Sequence, residues 1–238
     1  MKTDSSLRAA KKRFAALLGL LGMTLAFGAC KDNNSNTAPL VAASLTADAS
    51  TNGQTAVAGT AVTLPVSVHV MDQNGEPLGG ATVTWSVVNG AGHTGAASST
   101  TDASGMATTA WTLDTLTRLD SLTASIQSGA KVTFTARGTA AQPFTATMVS
   151  GNNQVDASGA TSAPFVIMVR DRYNNPAPGI VTAWTSTGGG TLTASSTSTG
   201  SDGKTQTTLV LGQGAANYTV TATPTGLPGI TFNLVGTP

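Results

Sequence analysis

Cysteine and histidine, the side chains that most often serve as zinc ligands and as thiol nucleophile or imidazole base, are few: one Cys and two His in 238 residues. His69 alternates with valines along an apolar run, and His93 lies in a glycine-rich stretch. Neither has a Ser or Asp partner at a spacing typical of acid–base catalysis. One Cys and two distant His do not supply a zinc site. The sequence therefore predicts no catalytic residue, no cofactor and a non-enzymatic protein.

Oxygen-bearing side chains cluster at two places that match each other. Asp72, Asn74 and Glu76 form the first cluster, and Asp171 opens the second at residues 171–175. Such oxygens are the ligands that calcium prefers. Both clusters lie in turn-rich sequence, where Asp and Asn side chains bind the local backbone instead. We therefore expect turns here and no metal site.

The chain opens with a basic segment followed by an apolar one. Residues 1–13 hold five Lys or Arg and one Asp, and residues 14–29 carry no charge. This order is typical of a secretory signal peptide, which we predict for residues 1–29. A membrane-spanning anchor is the alternative, but the apolar run is shorter than the ~20 residues that it needs.

The position of Cys30, directly after the small residues Gly28 and Ala29, refines this prediction. Residues 25–30 resemble a bacterial lipobox, in which a lipidated Cys becomes the first residue of the mature protein. Phe27 stands where the usual pattern has Leu. The resemblance implies lipidation of Cys30, a reaction that needs a nucleophilic thiolate. An ordinary signal peptide followed by an incidental Cys is the alternative.

The segment after the leader is polar, and we predict that residues 30–40 form a flexible tether. Lys31 after the Cys favours the outer membrane by resemblance to enterobacterial lipoproteins. Residues 30–238 carry seven basic and ten acidic side chains, since the leader holds five of the 12 basic and one of the 11 acidic ones. A net charge of −3 disfavours nucleic acid as a partner. The predicted partner is the membrane, reached through the lipid anchor.

The remaining chain contains two copies of one unit. Residues 68–77 reappear as residues 167–176, and Trp85 reappears as Trp184, both at an offset of 99. Later landmarks recur at an offset of 98, which places one single-residue deletion after Trp184. We predict two tandem domains, residues 41–140 and residues 141–238.

Each unit has the apolar pattern of β-strands. Val62, Leu64, Val66, Val68 and Val70 alternate with other residues and predict one strand over residues 62–70. Shorter alternating runs follow, separated by Gly, Asn, Asp and Pro. About seven such strands in a hundred residues predict an all-β fold with two β-sandwiches.

The aromatic residues fall at strand positions that face inward in this pattern. We expect Trp85, Trp184, Phe134 and Phe232 to form the cores. Trp111 has two interpretations, a core residue or an exposed contact between domains. Tyr218 is a candidate for the tyrosine-corner role, in which a buried hydroxyl binds the backbone.

Three features belong together: the motif V-x-V-x-D-x-x-G-x-P at residues 68–77, the strand with Trp85, and the run T-x-D-x-x-G-x-A-x-T at residues 100–109. Together they resemble bacterial immunoglobulin-like domains of the invasin and intimin type. The resemblance implies immunoglobulin-like sandwiches without a disulfide, located outside the bacterial cell. The second unit has Asn174 and Pro178 where the first has Gly75 and Gly79. We therefore expect the second turn to be built differently.

We predict a structural or adhesive stalk or binding module, lipid-anchored at the outer membrane or cell surface, with a protein or glycan as its possible partner. One alternative is a carbohydrate- or polymer-binding module. Another is an accessory subunit of an envelope complex that lends a strand edge to its partner. Pro65 and Pro164 count against this alternative, because proline commonly guards a free strand edge. The predicted binding surface is the pair of loops at residues 89–99 and 187–201.

Overall fold

A computed structural model describes residues 38–238. The predicted signal peptide and Cys30 lie outside the described residues. The described chain consists of twenty β-strands and one 3₁₀ helix, Ala49–Thr51, and confirms the predicted all-β fold. Within this part of the chain, no helix is long and apolar enough to cross a membrane.

Ten strands, β1 to β10, form the first sandwich. Their bounds are β1 Ala42–Ala47, β2 Gln54–Val57, β3 Val66–Asp72, β4 Thr82–Asn89, β5 His93–Thr94, β6 Ser98–Thr100, β7 Met106–Thr109, β8 Trp111–Thr112, β9 Leu119–Ser125 and β10 Lys131–Thr139.

Ten further strands, β11 to β20, repeat the arrangement in the second sandwich. They are β11 Pro143–Ser150, β12 Gln154–Ala157, β13 Phe165–Asp171, β14 Val181–Thr187, β15 Thr191–Leu192, β16 Ser196–Ser198, β17 Lys204–Thr207, β18 Leu209–Val210, β19 Ala216–Pro224 and β20 Ile230–Thr237.

Both sandwiches have the same sheet topology. The first has a three-stranded sheet in the order β1-β3-β7, a five-stranded sheet in the order β2-β10-β9-β4-β6, and the pair β5-β8. The second repeats these as β11-β13-β17, β12-β20-β19-β14-β16 and β15-β18. Pairing is antiparallel except for β2 with β10 and β12 with β20. The two copies seen in the sequence are thus two copies of one topology.

The predicted strand over residues 62–70 is interrupted. Val62 N–H donates to the Trp111 carbonyl, so the start of the run pairs near β8, whereas β3 begins at Val66 and pairs with β7. Between them, the Gln54 side chain binds both backbone polar groups of Leu64 at 2.9 Å. Pro65 has no N–H to donate to a neighbouring strand, and it lies where the pairing changes from β8 to β7.

The two prolines do not guard sheet edges. Pro65 precedes β3 and Pro164 precedes β13, and each of these strands is the central strand of its three-stranded sheet. The edges of these sheets are β1 and β7 in the first sandwich and β11 and β17 in the second.

The loops proposed as a binding surface contain short strands joined by turns. Residues 89–99 contain β5 and the start of β6, and residues 187–201 contain β15 and β16. These short strands pair with neighbouring strands, and the remaining residues of both segments form the turns between them.

The single-residue deletion between the copies is a bulge. The pairing of β4 with β9 skips Val88, between the pairs Val87–Leu122 and Asn89–Ser121. The pairing of β14 with β19 is continuous. Val88 is 59% exposed and makes no pair, so its loss leaves the inward and outward faces of the strand unchanged.

The cores lie between the sheets of each sandwich, and the four predicted aromatics are buried there. The ring centroids of Trp85 and Phe134 are 6.5 Å apart, and those of Trp184 and Phe232 are 6.3 Å apart. Each of these Trp indoles donates to a hydroxyl of its neighbouring edge strand, Ser99 at 2.9 Å or Thr197 at 2.7 Å. The apolar ring of each indole is thus buried in the core, and its N–H group has a hydrogen-bond partner.

Candidate functional site

The joint between the sandwiches is the most elaborate polar site of the described chain. β10 ends at Thr139 and β11 begins at Pro143, so the connector has three residues, and residues 39–238 form one compact unit. The turn after β13 reaches back to this connector. Asp171, 2% exposed, accepts the Ala141 N–H at 3.0 Å with Oδ2. A buried carboxylate thus fixes the backbone of the connector.

Asp171 also shapes its own turn. Its Oδ1 accepts the backbone N–H groups of Tyr173 and Asn175, each at 2.9 Å. Burial raises the pKa of the Asp171 carboxyl, but hydrogen bonds from the Asn175 side chain and from the Ala141 N–H outweigh it, so the pKa lies below its ordinary value. The carboxylate form is therefore the one that the joint stabilises.

Asn175 connects this turn to the first sandwich. It is 5% exposed, and its Nδ2 donates to the Thr115 carbonyl at 2.7 Å and to Asp171 Oδ2 at 3.0 Å. Its Oδ1 accepts the Thr117 N–H at 3.3 Å. One amide side chain thus binds a donor and an acceptor of the same loop, residues 115–117, in the other sandwich.

An ion pair between the buried Asp114 and the partly exposed Arg118 holds that loop in place. Asp114 accepts the Leu116 N–H at 2.7 Å and is paired with Arg118, and its own N–H donates to Asp120 Oδ2 at 3.1 Å. Burial raises the pKa of the Asp114 carboxyl, but the Leu116 N–H and the Arg118 guanidinium outweigh it and the pKa lies below its ordinary value. The Leu116 carbonyl lies over Gly138, where a Cβ would be 2.5 Å away.

An aromatic contact completes the joint. Tyr173, from the turn of the second sandwich, lies against Gly59 of the first, where an added Cβ would be 2.8 Å from the Tyr173 hydroxyl oxygen. The Arg172 guanidinium lies 4.7 Å from the centre of the Tyr173 ring and donates to its hydroxyl at 2.8 Å. Gly59 is thus required by close approach as well as by its φ of +78°.

The matching turn of the first sandwich shows which residues are specific to the joint. Asp72 accepts the N–H groups of Asn74 at 2.7 Å and Glu76 at 3.0 Å, which lie two and four residues after it. Asp171 accepts the N–H groups at the same two spacings in its own turn. Asn174 has a φ of +69° where Gly75 has +83°. The expectation that the second turn is built differently is therefore wrong, because Asn adopts the left-handed conformation at that place.

Other residues singled out in the sequence do not assemble into a site. Among the described residues, no three His, Cys, Asp or Glu side chains lie close enough to hold a metal ion. Trp111 is buried in the first core, where the second has Leu209. The Tyr218 hydroxyl is buried without a hydrogen-bond partner, so Tyr218 does not form a tyrosine corner. It packs against Gly188 and Gly236 instead.

Sequence reasoning missed the joint. Asn175 and its partners Thr115 and Thr117 are about sixty residues apart, and no local pattern connects them. One signal was present: the second copy has Tyr173 and Asn175 where the first has Asn74 and Glu76. These two differences fall on the residues that contact the first sandwich.

Comparisons with known proteins agree with this architecture. Residues 145–233 match the family model described as bacterial Ig-like domain (group 1). A search of curated protein sequences returned no match.

Several solved structures are similar. The Escherichia coli adhesin FdeC is 15% identical with a TM-score of 0.50, covering 82% of this chain and 65% of its own. The D0-D1 domain of intimin is 16% identical with a TM-score of 0.34, over 83% and 99% of the two chains. Invasin, described as a bacterial integrin-binding protein, is 24% identical with a TM-score of 0.38, over 81% and 39%. The chain thus spans less than two thirds of the FdeC and invasin structures.

The predicted resemblance is confirmed at the level of the fold: the chain has an immunoglobulin-like fold similar to that of FdeC, and residues 145–233 of its second sandwich match the model of the bacterial Ig-like domain (group 1).

Proposed function

We propose that the chain is a non-enzymatic spacer of the bacterial cell envelope, anchored by a lipid at Cys30, that holds two immunoglobulin-like domains, residues 41–140 and 141–238, at a fixed joint. The observation that carries the proposal is the joint itself. Three hydrogen bonds join the Asp171 and Asn175 side chains to the backbone of the connector and of the 115–117 loop, and a fourth joins the two side chains to each other. A flexible linker has no need of such buried polar contacts.

The anchor and the tether agree with this role. A lipidated Cys30 followed by residues 31–40 places the first sandwich close to a membrane surface, since a ten-residue polar coil spans roughly 18 Å. Adhesion is the natural use of such a spacer, because FdeC is an adhesin and invasin is described as integrin-binding. The short connector keeps any binding surface on the second sandwich at a defined orientation to the first sandwich.

Fractionation of cells tests the anchor. We expect the native protein in the membrane fraction and the Cys30→Ser variant in the medium or the soluble periplasmic fraction. Protease added to intact cells is expected to cleave the native protein. Equal fractionation of both proteins contradicts the lipid anchor, and a membrane-bound but protected native protein contradicts surface exposure.

Nuclear magnetic resonance relaxation of backbone ¹⁵N tests the spacer. If the joint is stiff, amides of both sandwiches report one common overall rotational correlation time. Two shorter and different correlation times contradict a fixed joint. This measurement does not depend on lipidation, so the two halves of the proposal fail separately.

A further inference from the structure

An apolar groove lies beside the joint, on the second sandwich. It has a volume of about 570 Å³ and is lined by the connector and the start of β11, by residues 177–180 and by Val57 of the first sandwich. A smaller groove of about 260 Å³ shares Phe144 with it and continues to Leu227 and Pro228. We call the two together the joint groove. Phe144 stands between them and is 64% exposed.

The first sandwich has a groove in the same place, and the comparison shows what the second has added. That groove is also about 570 Å³, lined by residues 40–42 and 78–82. Phe144 occupies the bulge position of β11 that Ala43 occupies in β1, since each lies between the first two register pairs of its strand. Pro178 and Ile180 replace Gly79 and Ala81.

These enlargements are not needed for folding. The first sandwich adopts the same topology with Ala or Gly at all three positions. Phe144 contributes little to the second core, because most of its surface faces solvent. Among the large exposed apolar residues in the described part of the chain, it is the one aromatic. Exposed aromatic side chains in concave apolar surfaces are the usual anchors of protein interfaces.

The charge of the joint groove indicates its occupant. Of the described residues that line it, Arg172 is the one with a charge, and the first copy has Gln73 at that position. Tyr173 holds the Arg172 guanidinium in place by stacking and by a hydrogen bond. A fixed guanidinium beside an apolar wall suits a carboxylate next to an apolar side chain.

The backbone indicates the conformation of the occupant. β11 is an edge strand and pairs with β13 alone. It carries no charged residue from Pro143 to Ser150, whereas free strand edges are commonly guarded by charge. An extended segment adds readily to such an edge, with alternate side chains entering neighbouring pockets. Few polar side chains line the groove, so a glycan finds few partners for its hydroxyl groups.

We propose that the joint groove and the edge of β11 bind an extended acidic segment of a partner protein, with an apolar side chain against Phe144 and an adjacent carboxylate on Arg172. This inference goes beyond the spacer function. It needs neither a lipid at Cys30 nor a location at the cell surface.

Selection of phage-displayed random heptapeptides on the full chain in detergent tests the proposal. We expect enrichment of peptides that carry an apolar residue next to Asp or Glu. Fluorescence anisotropy of the enriched peptides should show binding about tenfold weaker or worse for Phe144→Ala. Arg172→Gln, which installs the residue of the first copy, should weaken acidic peptides and leave neutral ones unchanged.

The matched control is Leu40→Ala, which truncates a side chain that is 58% exposed in the corresponding groove of the first sandwich. It should bind the selected peptides as the native chain does. Unchanged melting temperatures of all three variants establish that folding is intact. The proposal is overturned if no peptide is enriched, if Phe144→Ala binds equally well, or if a glycan array shows binding that Phe144→Ala abolishes.

Discussion

Single residues of this chain are best understood by comparing its two copies. Asp72 and Asp171 do the same work in the same turn, but only the second turn continues into a contact with another sandwich. Tyr173 and Asn175, absent from the first copy, make that contact. The repeat thus separates residues that the fold needs from residues that the joint needs.

Asn174 tests the account of the turn. Its φ of +69° is unfavourable for most residues that have a Cβ, and Asn tolerates it because its short polar side chain can hydrogen-bond locally. We therefore expect Asn174→Ala to lower the free energy of unfolding by about 1 kcal/mol. Asn174→Gly should remain within a few tenths of a kcal/mol of the native value, because Gly adopts this conformation freely. Urea unfolding of both variants measures the difference. Equal stability of the Ala and Gly variants contradicts the argument.

Asp171 makes the stability of the folded chain depend on pH in the acidic range. Its pKa is lower when folded than the ordinary 3.8, so the unfolded chain takes up the proton first as the pH falls. The stabilisation is therefore complete above about pH 4 and is lost as the pH falls through the lower folded value. Urea unfolding between pH 5 and pH 2 should show a smaller loss of stability for Asp171→Asn than for the native chain. Parallel pH profiles contradict this role.

At the scale of elements, the strand sequence predicts which side chains face the core better than it predicts which strands pair with each other. Alternation placed Trp85 and Trp184 toward the cores, because a period of two follows from strand geometry alone. It joined residues 62–70 into one strand, because alternation carries no information on where a strand changes partner. The contacts of Asn175 were not predictable, since they depend on the placement of a loop sixty residues earlier.

The bulge in β4 gives a prediction at this scale. Deleting Val88 should make β4 continuous like β14, with a change in unfolding free energy within about 1 kcal/mol. Deleting Thr84 is the control, because it forces either Val83 or Trp85 onto the solvent face and should cost about 3 kcal/mol or more. Thermal unfolding compares the two. Similar losses for both deletions contradict the assignment of Val88 as the extra residue.

For the whole molecule, the two hydrophobic cores share no residue, and they are joined by a three-residue connector whose Ala141 N–H donates to Asp171. Each core lies within one sandwich. The contacts of the joint, in contrast, are made by residues that only the second copy has. The arrangement of the two sandwiches therefore depends on a few side chains, of which Asn175 is the one that hydrogen-bonds twice to the backbone of the other sandwich.

The distance between spin labels on the two sandwiches tests this most directly. In a Cys30→Ser background, Ser98→Cys and Ser196→Cys place one spin label on each sandwich, at exposed residues that begin the equivalent strands β6 and β16. Pulsed electron paramagnetic resonance should give one narrow distance distribution. Asn175→Ala should broaden it, and Glu76→Ala, the same position in the first copy, should leave it unchanged. A broad distribution in the parent protein, or a narrow one that survives Asn175→Ala, contradicts the joint as a fixed connection.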